Sequence, residues 1–345
     1  MKKAKLYTAG GRMTQEVKSE YWLGFDLGAS KMYAVVFDSK FKIVGQRRRK
    51  TKGHEGADSV LTRMLSVIHD AVTDAGIEVG KLNGIGVGVP GPVDEDKGIV
   101  HEAVNLGWKN VPLAELLESK FGRPVTVLND VDAGIYGEYC FGAARSARTA
   151  LGVFPGTGIG GGCVYAGEII HGKGISALEI GHIQVRDNGR LCGCGRRGCL
   201  ETESSRLAIA AEAAIAAFRG EAPHLLAEAG TDLSKIRSGA LAKAINAGDT
   251  VIEDIVRRAA RLLGVGVANA VLLLAPDVVV LGGGLVEEMP DLFVQCVREA
   301  ANERVMSSFV DSFRIVVAKL GDEAAVMGAA AWARKTVTNL AASKV

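Results

Sequence analysis

His182, Cys192, Cys194 and Cys199 carry the clearest chemistry in the chain, within 18 residues of one another amid glycines, the cysteines in the run Leu191-Cys192-Gly193-Cys194-Gly195-Arg196-Arg197-Gly198-Cys199. Three thiolates and one imidazole complete a tetrahedral zinc set, and a set with no open position is structural rather than hydrolytic. A metal-free loop is the weaker reading, because exposed thiols packed this densely invite oxidation. Glu179 and Glu201 stand on either side of the staple. Zinc would hold one ring nitrogen of His182 and leave the other N–H for a hydroxyl. Glu179, His182 and Glu201 therefore make a rigid clamp of the kind that fits sugar hydroxyls.

A second acid stands apart from this loop. Asn129-Asp130 follows the apolar run 125–128 and precedes a helical pattern. A carboxylate at the C-terminal end of such a strand opens on the ligand side of an α/β sheet. Capping of the following helix is its competing role.

Three glycine turns could hold a polyanion. Asp26-Leu27-Gly28-Ala29-Ser30-Lys31 lies between two strand-like runs, where backbone N–H groups can face a phosphate. Asp26 could hold Mg²⁺ through water, although an ordinary hairpin with an acidic residue reads the same. In the second turn, Gly156, Gly158 and Gly161 match the dinucleotide spacing, but Cys163, Val164 and Tyr165 continue as strand where that motif needs a helix. Exposed amides and the hydroxyl of Thr157 suit ATP phosphates better. The third turn, Gly282-Gly283-Gly284, would let a flat ring such as adenine lie on the backbone, or would serve tight helix–strand packing. No P-loop motif occurs.

Positioning these groups requires a doubled framework. Strands are expected at 22–25, 32–37 and 42–46, a helix at 57–75, a strand at 84–89, a helix at 111–120, a strand at 124–128 and a helix at 131–140. The order then restarts with strands at 149–154, 162–166 and 168–170 and a loop-rich stretch at 172–198. Helices at 205–218, 239–247 and 250–274, a strand at 278–281, a helix at 285–303, a strand at 313–318 and a helix from 323 complete it. Two α/β domains of like topology with a ligand cleft between them follow. The small one is expected over 1–135, rejoined by the C-terminal helix 323–345, and the large one over 136–322.

Composition excludes several classes. The 345 residues carry a net charge of +2, which gives no pull towards nucleic acid or membrane. The basic run Arg47 to Lys50 reads as a solvated strand edge. The N-terminus lacks an apolar signal segment and no uninterrupted apolar stretch is long enough to span a bilayer, so a cytoplasmic protein is expected. Cys140, Cys163 and Cys296 are scattered and read as small buried hydrophobes.

Together these motifs resemble the ROK family of repressors, open reading frames and kinases. The likeness runs from about Trp22 to Arg334, through DLGASK at 26–31, GVPGPVD at 88–94, NLGW at 105–108, LND at 128–130, GTGIGGG at 156–162, EIGH at 179–182, CGCGRRGCLE at 192–201 and VVVLGGG at 278–284. The resemblance implies the two-domain actin/hexokinase/Hsp70-like (ribonuclease H-like) fold with an interdomain cleft. It implies Asp130 as general base, with Gly91, Asn105, Asn129, Glu179, His182 and Glu201 around a sugar. Asp26, Gly28, Ser30, Lys31, Gly156, Thr157, Gly158, Gly283 and Gly284 would serve ATP and Mg²⁺, and His182 with the three cysteines Zn²⁺.

The implied reaction is phosphorylation of a hexose hydroxyl, glucose first, with N-acetylglucosamine, N-acetylmannosamine or fructose as alternatives. A homodimer or homotetramer is implied as well. The family's first turn reads DxGGTK, whereas Ala29-Ser30 stand here. The added methyl touches phosphate affinity and leaves polyphosphate open as a donor. A sugar-responsive repressor would need an N-terminal helix-turn-helix, for which the 25 residues before Asp26 show no paired helical pattern. A non-catalytic sugar sensor would need neither Asp130 nor the phosphate turns.

Overall fold

The computed structural model describes residues 20–28, 30–176 and 178–342. The first nineteen residues lie outside the described residues, as do Ala29, on which the departure in the first turn rests, and the last three residues of the expected C-terminal helix.

The first half runs β1 (Tyr21–Leu27), β2 (Lys31–Phe37), β3 (Ile43–Lys50), α1 (Ala57–Asp74), β4 (Leu82–Val89), β5 (Val93–Asp94), β6 (Ile99–Ala103), β7 (Trp108–Val111), α2 (Leu113–Phe121), β8 (Val125–Asn129) and α3 (Asp130–Phe141). The second begins β9 (Thr149–Pro155), β10 (Ile159–Tyr165), β11 (Glu168–Ile169), β12 (His171–Gly172) and β13 (Ile175–Ser176). Helices α4 (Glu201–Ser204), α5 (Arg206–Phe218), α6 (Pro223–Ala229), α7 (Ser238–Ala247) and α8 (Thr250–Leu274) follow. Then come β14 (Val278–Leu281), α9 (Gly284–Glu288), α10 (Pro290–Asn302), β15 (Arg314–Val317) and α11 (Ala324–Ala342).

The expected duplication is present in the sheets. One has the order β3-β2-β1-β4-β8 and the other β11-β10-β9-β14-β15. In each, the first three strands pair antiparallel and the last three parallel. Strand β14, paired parallel on both sides, is apolar throughout: Val278 to Leu281 are all buried, as a sheet covered on both faces requires.

Three cores fill five layers. Helix α1 lays Val60, Met64, Ile68 and Val72 on the outer face of the first sheet, and α8 and α10 cover the outer face of the second. Between the sheets, α3 and α11 share a core with Tyr33 and Val35 of the first sheet and Val164 and Val280 of the second. Each fully buried Val, Leu, Ile or Phe contributes about 1.5–3 kcal/mol relative to exposure. Position 135, where the sequence puts the domain division, falls inside α3.

Several elements differ from the expectation. The segment 285–303 is two helices, parted at Met289 because Pro290 opens α10. Pro112 likewise delays α2 to Leu113. The small sheet β5-β6-β7, the β12–β13 hairpin and α6 were unforeseen. The basic run belongs to edge strand β3, where Arg48 stacks over Tyr33 at 3.8 Å and Arg49 pairs with Asp70 at 2.6 Å.

Candidate functional site

Register brings the acids to one sheet edge. Asp26 on β1 stands opposite Gly88 on β4, Gly88 opposite Leu128 on β8, and Val89 opposite Asn129. Asn129 and Asp130 thus emerge at the same end of the sheet as Asp26, with β4 between them. Asn129, not Asp130, caps α3: its Oδ1 accepts from the N–H groups of Val131 and Asp132 at 2.9 and 3.4 Å. Its Nδ2 donates to the carbonyl of Gly91 at 3.1 Å. Gly91 has φ +90, and a Cβ there would lie 2.1 Å from the Glu102 carbonyl oxygen, so only glycine fits.

With the cap supplied by its neighbour, the Asp130 carboxyl takes only local backbone partners among the described residues, the N–H of Val131 at 3.0 Å and its own N–H. Burial pushes it up to about 6, against the pull of that backbone N–H. Asp26 is pushed up to about 7 by burial and then by Asp130. Two buried carboxyls with raised pKa, close enough for Asp130 to act on Asp26, are an arrangement that a bound cation would relieve.

Lys31 does not stand free over the first turn. Its Nζ lies 2.7 and 2.8 Å from the two oxygens of Asp322, which Arg48 also meets at 3.0 Å. Gly28 offers its carbonyl to the hydroxyl of Thr51 at 2.6 Å, and Ser30 its carbonyl to the Thr51 N–H at 2.9 Å.

The three glycine turns meet. Ser30, Thr157 and Gly284 line one cavity of about 870 Å³ with Arg206, Leu207, Leu233, Lys235, Arg237 and Lys243. Gly156 N–H donates to Gly158 O at 2.8 Å, closing the second turn around Thr157. Gly283, at φ +84, caps α9, and a Cβ there would lie 2.9 Å from the Pro155 carbonyl oxygen. The cations of this cavity were missed in the sequence, where they lie scattered over two helices and a loop.

The four residues read as metal ligands come together. One ligand atom each from His182, Cys192, Cys194 and Cys199 lies within 4.8 Å of all the others. Cys194 Sγ and Cys199 Sγ are 3.6 Å apart, and Cys192 Sγ and His182 Nδ1 3.5 Å apart. A tetrahedron with arms of about 2.0–2.3 Å has edges of roughly 3.5–3.8 Å, the separation of these two pairs, and three thiols with one imidazole are a donor set that suits zinc. Burial, then the crowding of Cys194 and Cys192, pushes the Cys199 thiol up to about 12, a crowding that a cation would relieve.

The loop is wired to the glycine turn through Glu201. Its Oε1 lies 3.6 Å from Cys192 Sγ and its Oε2 accepts from the Ile159 N–H at 3.2 Å. A Cβ on Gly158 would lie 2.3 Å from that Oε2. Glu179 precedes the short turn Ile180–His182, and both it and His182 line a further cavity, of about 780 Å³. Asn105 stays apart: it is exposed in the turn between β6 and β7, and its side chain makes no hydrogen bond to the other site residues among the described residues.

Two further acids lie among these groups. Burial first, then Glu95, Asp130 and Glu179, hold the buried Asp132 well above the usual carboxylate range. Glu95 is pushed up to about 7, mainly by burial. All four of their oxygens lack a hydrogen-bond partner among the described residues.

The sequence profile of the ROK family matches residues 22–336. The glucokinase of Halalkalibacterium halodurans is 30% identical over 316 residues, 90% of this chain and 94% of that protein. The xylose repressor of Caldicellulosiruptor bescii is 28% identical over 89% of this chain and 76% of the repressor. Among solved structures, the ROK family glucokinase from Streptomyces griseus in complex with glucose and AMPPNP superposes with a TM-score of 0.79 at 30% identity, over 91% of this chain and 99% of that one.

Proposed function

Because this chain belongs to the ROK family, with the two-domain actin/hexokinase-like fold of its kinases, we propose that it phosphorylates a hexose hydroxyl with ATP, glucose being the first acceptor. One observation carries this reading. Three separate glycine turns share a single cavity, and the first of them begins at Asp26, within electrostatic reach of Asp130. The glucokinase relative supports sugar kinase activity. Glucose is preferred here because His182 and Glu201 match the glucokinase-type pattern.

In this reading Asn129, Glu179, His182 and Glu201 orient the sugar, with Gly91 and Asn105 at its border. Asp130 takes the proton of the attacking hydroxyl. That oxygen forms a bond to the terminal phosphorus of ATP as the bond to ADP breaks. Positioning and charge neutralisation do most of the work in phosphoryl transfer. Asp26 would hold Mg²⁺, which would neutralise donor charge. The His182, Cys192, Cys194 and Cys199 set would hold Zn²⁺ as a structural staple that fixes the ring of His182.

Among the described residues no helix is long and apolar enough to cross a membrane. We place the protein in the cytoplasm as a homodimer or homotetramer. The division into 1–135 with 323–345 against 136–322 belongs to the same proposal.

A coupled ADP-release assay across glucose, mannose, fructose, N-acetylglucosamine and N-acetylmannosamine tests it. Turnover highest on glucose is expected. Preference for an N-acetylated sugar or fructose would move the acceptor but keep the class. No turnover on any sugar would overturn the kinase reading, and sugar-responsive DNA binding would replace it with a regulator.

A further inference from the structure

We infer that Arg206 is the cation that grips the phosphates of the donor, in a site where the family resemblance implies Lys31. The inference rests on the kinase reading for its ligand, and on the geometry of one arginine for its content.

Arg206 opens α5 directly behind the second glycine turn and is fastened to it twice. Its backbone N–H donates to the Gly156 carbonyl at 2.8 Å. Its Nη2 donates to Thr157 Oγ1 at 2.9 Å. The helix start that sets this backbone position is held by Ser205, whose hydroxyl accepts from the Ala208 N–H at 3.2 Å. The guanidinium is thus held at the wall of the cavity that Ser30 and Gly284 close from the other sides.

The rest of the guanidinium is unspent. An arginine carries five N–H donors, and the bond to Thr157 uses one. Arg206 has no carboxylate within ion-pair distance among the described residues, although arginines elsewhere are paired: Arg190 and Arg258 with Glu212, and Arg261 with Glu303. A half-buried, pre-oriented guanidinium without a counter-ion suits a phosphate, which can accept two parallel N–H groups.

Of the other cations near the turns, Lys31 and Lys243 are ion-paired, and Arg237 and Lys235 make no hydrogen bond to the second glycine turn among the described residues. Lys31 is tied to Asp322 by two contacts, at 2.7 and 2.8 Å. Lys243 is paired with Glu228 at 2.7 Å, and Arg237 Nε donates to the Ser234 carbonyl at 3.2 Å. Lys235 lies on the same wall but has no anchor to the glycine turn. Arg206 alone among these combines attachment to Thr157 with free donors. Thr157 then acts as a positioning residue, setting the guanidinium before the donor arrives.

The test compares Arg206→Ala, Arg206→Lys and Thr157→Val with the wild-type chain, by steady-state kinetics in both substrates and by calorimetry with ATP, ADP and AMP. A charge-assisted hydrogen bond to phosphate corresponds to roughly a ten- to hundredfold change in affinity. Arg206→Ala should raise KM for ATP and Kd for ATP and ADP by that factor. KM for the sugar and the unfolding midpoint should stay near wild type. AMP should lose less than ATP. Arg206→Lys should recover part of the loss, and Thr157→Val should show a smaller loss of the same kind. Unchanged ATP affinity in Arg206→Ala would overturn the inference, as would equal losses for ATP, AMP and sugar. Calorimetry keeps the two readings apart: a wild-type chain that phosphorylates no sugar but loses ATP binding on Arg206→Ala refutes the kinase and sustains the role of Arg206.

Discussion

Gly137 on α3 and Gly328 on α11 face each other where the two central helices cross. A Cβ on Gly328 would lie 1.7 Å from the Ala133 carbonyl oxygen and 2.6 Å from the Gly137 nitrogen. One on Gly137 would lie 2.2 Å from the Ala324 carbonyl oxygen. Every obstacle is backbone, so neither contact can be relieved by turning a side chain. Helix α3 leaves the first sheet and α11 the second, so this crossing joins the halves that enclose the cleft.

Gly328→Ala should therefore push the helices apart and cost on the order of 1–3 kcal/mol, the usual penalty of overpacking. Urea denaturation reads it as a lower midpoint. Because the same crossing sets the separation of the two halves, KM for both substrates should rise together. A midpoint equal to wild type would show that the crossing tolerates a methyl.

Asp130→Asn keeps the shape of the side chain and removes the base. Loss of general-base catalysis corresponds to a fall in kcat of about 10²–10⁴-fold, with sugar binding by calorimetry retained. The carboxylate form is needed, so in the native enzyme kcat/KM should climb as pH rises through about 6 and level off above it. Strong residual activity in the variant, or a flat acid limb, would remove Asp130 from that role.

Stripping the metal loop with a chelator should lower both the unfolding temperature and sugar affinity, since binding energy in such a site is folding energy. Coupling to the sugar runs through His182 and through Glu201, which touches Cys192 on one side and the Ile159 N–H on the other. Cys199→Ser should reproduce the effect without a chelator. Normal sugar affinity in a metal-free sample would break the coupling.

Much of this was legible in the sequence because the signals are local. The strand–helix order repeats, and that repetition is the doubled sheet topology. The cysteine spacing puts the three thiols of the candidate metal site within one loop. The unread parts depend on contacts between distant positions or on very short elements. Asp322 claims Lys31 from 291 positions away. Strands of two to five residues, such as those of β5-β6-β7, are too short to show a period. Helical periodicity ran on through Met289 because apolar positions continue in phase across Pro290. Assignment of the α3 cap to Asn129 rather than Asp130 turns on whether the helix begins at Asp130 or one residue later, which residue types alone do not decide.

Asp132 gives the last prediction, through the sign of its titration. Its folded pKa is raised by burial and by the acids around it, while the unfolded chain titrates near 3.9. Between those values the folded state holds a proton that the unfolded state lacks, so stability falls as pH rises. What this carboxyl contributes is fully present below about pH 4 and is lost as pH climbs through its raised folded pKa. Asp132→Asn removes the ionisation and keeps the volume, and it offers an amide donor towards Glu95. The variant should melt at higher temperature than wild type at about pH 8, with the gain shrinking towards pH 4. Glu95→Gln should act in the same direction. If Asp132→Asn lowers the melting temperature equally at both ends of that range, the carboxylate has a stabilising partner and the acidic cluster is not a source of strain.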